Sequence, residues 1–246
     1  MSHEDEKRIA LLEIFSDIHR KEGPGKLDLE VTFSIDPMIE GLAAALYMDG
    51  SDSMRHAGNY GRRGLLSIGR RVNPVEESMR VIVPYIAEKD ANKQCRVAYW
   101  ATGSDGRSIQ AIGEMTGPQA AKSEFDGPDE FGGATYLLPA IRDYVAYVRS
   151  LMEQGETVKA ALAVIVTDGQ FHDFEDVMSY TQELATAIMD GKFPRTTFTV
   201  VGVGPEIDQE QMDELMHEAT PESYTGREIW CYALADTVGQ LPEVVS

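Results

Sequence analysis

Long apolar runs are missing from this sequence, and with them any segment suited to crossing a membrane. The longest apolar runs are about seven residues, whereas a membrane-spanning helix needs about 20. The charged stretch 4–8 is also unlike a secretory signal peptide. We therefore expect a soluble, cytoplasmic protein with no membrane partner.

Cysteine and basic residues are also scarce. Cys95 and Cys231 each lie in an apolar, strand-like segment, which favours buried reduced thiols over a disulfide framework. The 22 Lys and Arg residues face 41 Asp and Glu residues, for a formal net charge of −19. A chain this acidic is poorly suited to phosphate backbones, so we expect no nucleic-acid partner.

Familiar catalytic patterns are absent as well. The five histidines form no His-x-x-x-His pair, and the sequence has no Gly-x-Ser-x-Gly elbow. Dehalogenase-like phosphatases need a second Asp two residues after the first, where this chain has Ser51 after Asp49. His172 lies near Asp168, in a segment typical of a strand-to-helix connection, which favours a surface histidine over a catalytic base. We expect no enzymatic activity, with a metal-dependent phosphohydrolase as the alternative.

The sequence does contain a group of oxygen-bearing side chains after an apolar run. Asp49-Gly50-Ser51-Asp52-Ser53 follows Leu42–Met48, so a carboxylate and two hydroxyls come at the end of a buried strand. Mg²⁺ prefers oxygen ligands in near-octahedral geometry. Serines in such positions often cap helices, but here glycines interrupt the next segment and helical periodicity begins only at Pro74. The pentapeptide is therefore a candidate metal loop.

Two later segments add to this site. Gly132-Gly133-Ala134-Thr135 opens an amphipathic stretch reaching Met152, which places Thr135 at a helix N-terminus. The apolar run Ala160–Val166 ends in Thr167-Asp168-Gly169, typical of a strand leaving a sheet. Taken singly, Thr135 could cap a helix and Asp168-Gly169 could form a turn. The carboxyl ends of parallel strands share one crevice, so we expect five side chains to converge: Asp49, Ser51, Ser53, Thr135 and Asp168.

These three motifs resemble, in order and spacing, the von Willebrand factor A-type domain with its metal-ion-dependent adhesion site, over residues 40 to 235. The resemblance implies that Ser51 and Ser53 are direct metal ligands and that Asp49 orients water around the metal. Thr135 would be a switchable ligand, and Asp168 would close the site. One coordination position would stay free for an Asp or Glu of a protein partner. Mg²⁺ is the expected cation, with Mn²⁺ or Ca²⁺ as alternatives.

The resemblance therefore implies a metal-dependent protein-interaction module. Similarity to intracellular bacterial A-type domains suggests a role in stress response, including tellurium resistance, or as an adaptor for ATPase machines. A metal-free scaffold is a further alternative, which would bind its partner equally well in chelator. The sequence leaves the partner and the oligomeric state open.

A basic island follows the metal loop. It consists of Arg55, Arg62, Arg63, Arg70 and Arg71. Arginines favour bidentate contacts with carboxylates, so the island is a candidate surface for an acidic partner. The alternative is a solvated loop that balances nearby acids.

The order of elements predicts an α/β, Rossmann-like fold. Residues 37–246 should form one domain with a doubly wound, mainly parallel sheet flanked by helices. An antiparallel edge hairpin is expected from segments 96–101 and 107–112, followed by an irregular rim or short helix over 113–133. Residues 1–36 are predicted to pack on this domain as an amphipathic helix over 4–21 and an alternating edge strand over 27–35.

Overall fold

A computed structural model describes most of the chain. The described residues are 15–23, 26–33, 41–57, 59–60, 74–90, 92–203, 207–226 and 228–235. Within them, no helix combines the length and apolar character needed to cross a bilayer.

Strands and helices alternate through the main body of the protein. The strands are β1 (Phe15–Gly23), β2 (Lys26–Phe33), β3 (Leu42–Asp49), β4 (Cys95–Thr102), β5 (Ser108–Met115), β6 (Ala160–Thr167), β7 (Arg195–Val203) and β8 (Trp230–Ala235). The helices are α1 (Asp52–His56), α2 (Pro74–Ala87), α3 (Gly117–Ala120), α4 (Leu138–Glu153), α5 (Phe174–Met189) and α6 (Gln209–His217).

The central sheet has six strands in the order β5-β4-β3-β6-β7-β8. All neighbours are parallel except β5, which pairs antiparallel with β4 at one edge. The predicted Rossmann-like fold and its antiparallel edge hairpin are therefore confirmed. From β3 the chain builds outward to β5 on one side, and from β6 to β8 on the other. This reversal makes the β3/β6 pair the topological switch point, where ligands bind in open α/β sheets.

Helices cover both faces of this sheet. Alternate residues of β3 enter two separate cores, with Leu46 in one and Tyr47 in the other. The first core is closed by α2, and the second by α4, α5 and α6. A strand covered on both faces has no polar side, which explains why β3 and β6 read as continuous apolar runs.

The N-terminal prediction is partly wrong. Residues 15–21 belong to strand β1 instead of the predicted helix, while residues 4–14 lie outside the described part of the chain. The predicted strand is confirmed as β2, but it pairs antiparallel with β1 in a separate two-stranded sheet. Gly23 faces Lys26 in this register. The Gly-Pro-Gly sequence at 23–25 favours such a hairpin over continuation of a helix.

The long segment before Thr135 is more regular than its composition suggested. Strand β5 runs to Met115, and the short helix α3 follows within the region predicted to be a rim. Thr116 caps α3 through a reciprocal capping box with Gln119. The segment 121–137 after α3 leads to the candidate site.

Candidate functional site at the switch point

Two aspartates mark the carboxyl ends of adjacent strands. Asp49 is the last residue of β3, and Asp168 directly follows β6. The strands pair in parallel with Met48 opposite Val166, which brings the two carboxylates to the same edge of the sheet. Both are buried. The predicted convergence of these residues is therefore observed at the switch point.

Asp49 is held by hydrogen bonds to both of its carboxylate oxygens. The Ser51 backbone N–H donates to Oδ1 at 2.7 Å, and the Thr167 hydroxyl donates to Oδ2 at 2.6 Å. Burial raises the pKa of Asp49 to about 7, the charge of Asp168 adds to this, and the Thr167 hydrogen bond opposes it. Asp49 is thus an internal, oriented carboxylate with no exposed surface.

A chain of polar contacts runs from the metal loop to Asp168. The Ser51 and Ser53 hydroxyl oxygens lie 2.8 Å apart, and Ser53 donates to Asp168 Oδ1 at 2.8 Å. The predicted absence of a helix after these serines is wrong, because α1 begins at Asp52. Ser51 occupies its N-cap position, yet the Ser51 hydroxyl makes no capping hydrogen bond. The Ser51 hydroxyl therefore bonds toward Ser53 and the site instead of α1.

Thr135 lies in the loop before α4, where its side chain is buried. The predicted helix start at Thr135 is wrong by three residues, because α4 begins at Leu138. Thr135 Oγ1 lies beside Gly169, 3.7 Å from where a Cβ would stand. Its backbone N–H donates to His172 Nδ1 at 3.1 Å, and its carbonyl accepts from the His172 N–H at 3.0 Å. The loops after β6 and before α4 are thereby joined.

His172 and Asp173 are two site residues whose structural roles the sequence did not reveal. His172 is exposed, as predicted, but its ring also holds the Thr135 backbone. The buried Asp173 carboxylate accepts from the backbone N–H groups of Leu137 and Leu138 at 2.8 and 2.9 Å. It therefore caps α4, a helix that lies 35 residues earlier in the chain. No local sequence pattern marks such a long-range cap.

Gly132 fastens the Thr135 loop to the metal loop. Its N–H donates to the Gly50 carbonyl at 2.9 Å, and its carbonyl accepts from the Asp52 N–H at 2.8 Å. A Cβ at Gly132 would stand 2.1 Å from the Ala101 carbonyl oxygen. Only glycine therefore permits this backbone-on-backbone approach.

These loops enclose an open cleft of about 400 Å³. It is lined by Ser51, Asp52, Ser53, Gly132, Gly133, Ala134, Thr135, Gly169, Gln170 and His172. Three of the five predicted site residues, Ser51, Ser53 and Thr135, belong to this lining. Asp168 is joined to it by the hydrogen bond from Ser53, and buried Asp49 by the one from the Ser51 N–H.

The predicted basic island is only partly covered by the structure. Arg62, Arg63, Arg70 and Arg71 lie outside the described residues. Arg55 is exposed and lies 3.6 Å from Asp52, with its guanidinium 5.4 Å from the Phe131 ring centroid.

Arg107 is a further cation beside the cleft that sequence reasoning missed. Its guanidinium carbon stacks 3.5 Å from the centroid of Tyr136, the residue after Thr135. The loop between β4 and β5 brings it there, with Gly106 against the Ala134 carbonyl. A local signal existed only in the glycine-rich turn 103–106, which indicates a hairpin but not its neighbour.

The donor set of the cleft is dominated by hydroxyls. Among the described residues, no three His, Cys, Asp or Glu side chains cluster closely enough to hold a metal ion. Of the five predicted site residues, Asp49 and Asp168 carry carboxylates, and Ser51, Ser53 and Thr135 carry hydroxyls; the carboxylate of Asp52 also lines the cleft. No protein-family model and no curated protein sequence matches the chain.

Proposed function

We propose that this protein is a Mg²⁺-dependent protein-interaction module of the von Willebrand factor A type. The observation that carries the proposal is the convergence of oxygen-bearing side chains from three separate loops at the switch point of the sheet. Two hydroxyls come from the loop after β3, one from the loop before α4, and a carboxylate from the end of β6. Such a site lies where α/β sheets bind ligands.

The chemistry of the donor set suits Mg²⁺. With metal–oxygen distances of about 2.0–2.1 Å, neighbouring oxygens of an octahedron lie about 2.9 Å apart. The 2.8 Å separation of the Ser51 and Ser53 hydroxyl oxygens is compatible with such an edge. Hard oxygen donors and few carboxylates are typical of Mg²⁺, which is rarely enclosed in an all-protein cage.

Each residue then has a distinct task. Ser51, Ser53 and Thr135 would hold the cation, while Asp49 and Asp168 would supply negative charge from beneath and beside it. The cation would supply a Lewis-acidic position that attracts a carboxylate oxygen. The open side of the cleft leaves room for an Asp or Glu of a partner protein. His172 and Gly132 keep the Thr135 loop in place from its two sides.

The surroundings of Asp49 favour a metal-dependent interaction module over a phosphohydrolase in which Asp49 would be the nucleophile. A nucleophilic aspartate must reach the phosphorus of its substrate with one oxygen. Asp49 has no exposed surface, and Ser51 and Thr167 occupy its two oxygens. This arrangement favours an orienting role for Asp49.

Calorimetric titration of Mg²⁺ into chelator-stripped protein tests the proposal. We expect saturable binding to the wild type, and at least a tenfold weaker affinity when Ser51 and Ser53 are both replaced by alanine. Ser150→Ala is a matched control, because this hydroxyl bonds only the Tyr147 carbonyl within its own helix α4. Circular dichroism checks that all variants stay folded. Absent binding in the wild type, or equal binding in the double variant, would refute the metal site.

A further inference from the structure

Two arginines flank the cleft on either side of the Thr135 loop. Arg107 is exposed, and its guanidinium lies 3.5 Å from the centroid of Tyr136. Arg55 is also exposed, and its guanidinium lies 5.4 Å from the centroid of Phe131. Phe131 and Tyr136 directly bound the segment 132–135, which lines the cleft. We call Arg55 and Arg107 the arginine frame.

Both arginines are tied to the cleft through residues that line it. Arg55 lies 3.6 Å from the carboxylate of Asp52, a lining residue. Arg107 stacks on Tyr136, and the other neighbour of that ring is His172, at 5.7 Å between ring centroids. His172 lines the cleft. The frame therefore borders the same opening that the proposed metal site faces.

The stacking of Arg107 on Tyr136 orders its guanidinium and leaves the edge that carries the N–H groups open. A guanidinium lying over an aromatic ring keeps its N–H groups in its own plane, where they can meet a carboxylate in bidentate fashion. Arg107 makes no ion pair with a carboxylate among the residues that the structure describes. Its charge is thus available at a fixed place beside the cleft.

The local positive charge of the frame contrasts with the negative net charge of the protein. At −19, the chain repels an acidic partner at long range. Arg107 places one positive charge beside the cleft, and an exposed charge acts within about 10 Å, the screening length at about 0.1 M salt. A carboxylate that reaches the cleft therefore meets a local positive charge, although the chain as a whole is acidic.

We propose that the arginine frame selects partners in which the metal-binding acid is flanked by further acidic residues. This inference rests on the proposed function, since it assigns the central carboxylate to the cation. The flanking carboxylates pair with Arg107 on one side and Arg55 on the other. Arg107 contributes more than Arg55, because Arg55 already faces Asp52.

Two blocked peptides of equal length serve as probes. One is Gly-Gly-Asp-Gly-Gly, which carries a single acid, and the other is Glu-Glu-Asp-Glu-Glu. Each is titrated into ¹⁵N-labelled protein and followed by NMR, once in saturating Mg²⁺ and once in chelator. The variants are Arg107→Ala and Arg55→Ala. Arg149→Ala is the matched control, because Arg149 is an exposed arginine stacked on Phe193, about 16 Å further along α4 from its first residue.

In Mg²⁺ we expect the wild type to prefer the acidic peptide. Arg107→Ala should weaken binding of that peptide about two- to fivefold, the range of one exposed ion pair. Arg55→Ala should weaken binding of the acidic peptide less. Arg149→Ala should bind this peptide as tightly as the wild type, and all three variants should keep the wild-type affinity for Mg²⁺. The preference should also shrink with added salt.

Other results separate the two proposals. Equal binding of both peptides in Mg²⁺, or equal losses in Arg107→Ala and Arg149→Ala, would overturn the arginine frame and leave the metal site standing. The acidic peptide could also bind equally well in Mg²⁺ and in chelator, with a loss in Arg107→Ala in both. That result would support the arginine frame and overturn the assignment of the central carboxylate to the cation. Absence of binding by either peptide in Mg²⁺ would overturn the frame.

Discussion

Replacing Asp49 by asparagine should stabilise the metal-free protein above about pH 7. Asp49 has no exposed surface, and burial is the main cause that raises its pKa from 3.8 to about 7. The charge of Asp168 adds to this rise, and the Thr167 hydrogen bond opposes it. Asparagine has nearly the same shape and carries no charge at any pH. The variant therefore removes the cost of a buried charge with little change of packing.

The sign and size of the effect follow from proton linkage. Asp49 binds its proton more tightly in the folded than in the unfolded protein. Protonation of Asp49 therefore adds to the free energy of unfolding in full below about pH 4, and this contribution is lost as the pH rises through about 7. Each tenfold change in proton affinity is about 1.4 kcal/mol, so the loss above pH 7 is about 4 kcal/mol. The amide of asparagine fits the Thr167 hydroxyl less well, at a cost of about 1 kcal/mol. We expect Asp49→Asn to gain about 3 kcal/mol at about pH 8.

Urea unfolding in chelator, followed by circular dichroism, measures this gain. We compare the free energy of unfolding of the variant with that of the wild type at each pH. The contributions of the other titrating groups cancel in this difference, which should grow between about pH 4 and about pH 8. Mg²⁺ should then stabilise the wild type but not the variant. This last comparison links the buried charge to the proposed metal.

Asp173→Asn is the matched control among buried aspartates. Its carboxylate accepts one backbone N–H on each oxygen, whereas an asparagine accepts on only one. We expect Asp173→Asn to lose about 1–3 kcal/mol of stability. A variant Asp49→Asn that is no more stable than the wild type at about pH 8, or a difference independent of pH, would refute the reasoning.

Other substitutions give further tests by urea unfolding or thiol labelling. Gly132→Ala should lose about 1–3 kcal/mol, because its Cβ would overlap the Ala101 carbonyl. Gly133→Ala, whose Cβ would meet only Ser104 O at 3.3 Å, should lose less, and equal losses would contradict the tight contact. Asp208→Ala should cost about 1 kcal/mol, because its side chain caps α6. Cys231 should resist Ellman's reagent in the native protein, since burial raises its pKa to about 11, and rapid labelling at neutral pH would contradict this.

Most of the central fold was predictable because its signals are local. A strand covered on both faces must be apolar throughout, so β3 and β6 stood out as continuous runs. Helix α5 is likewise amphipathic over its four turns, with Val177, Thr181, Leu184 and Ala185 buried. The predicted N-terminal helix is wrong over residues 15–21, where the same kind of pattern stands before a Gly-Pro-Gly sequence that favours a hairpin.

The candidate site was predictable in its residues but not in its geometry. Strand ends followed by Asp49 and Asp168 identify one edge of a parallel sheet. The start of α4 was misplaced because Asp173 provides its cap from another loop. His172 and Arg107 reach the site only because their loops fold against the Thr135 segment.

The sequence by itself determined the buried strands β3 and β6, their shared carboxyl edge and the oxygen chemistry that follows them, because hydrophobic periodicity and strand-ending motifs act over a few residues. Only the tertiary structure decided which backbone groups each side chain meets. The clamp of His172 on Thr135 and the stack of Arg107 on Tyr136 join residues 37 and 29 positions apart. Such contacts depend on how whole loops pack, and packing is set by the shape of the complete core.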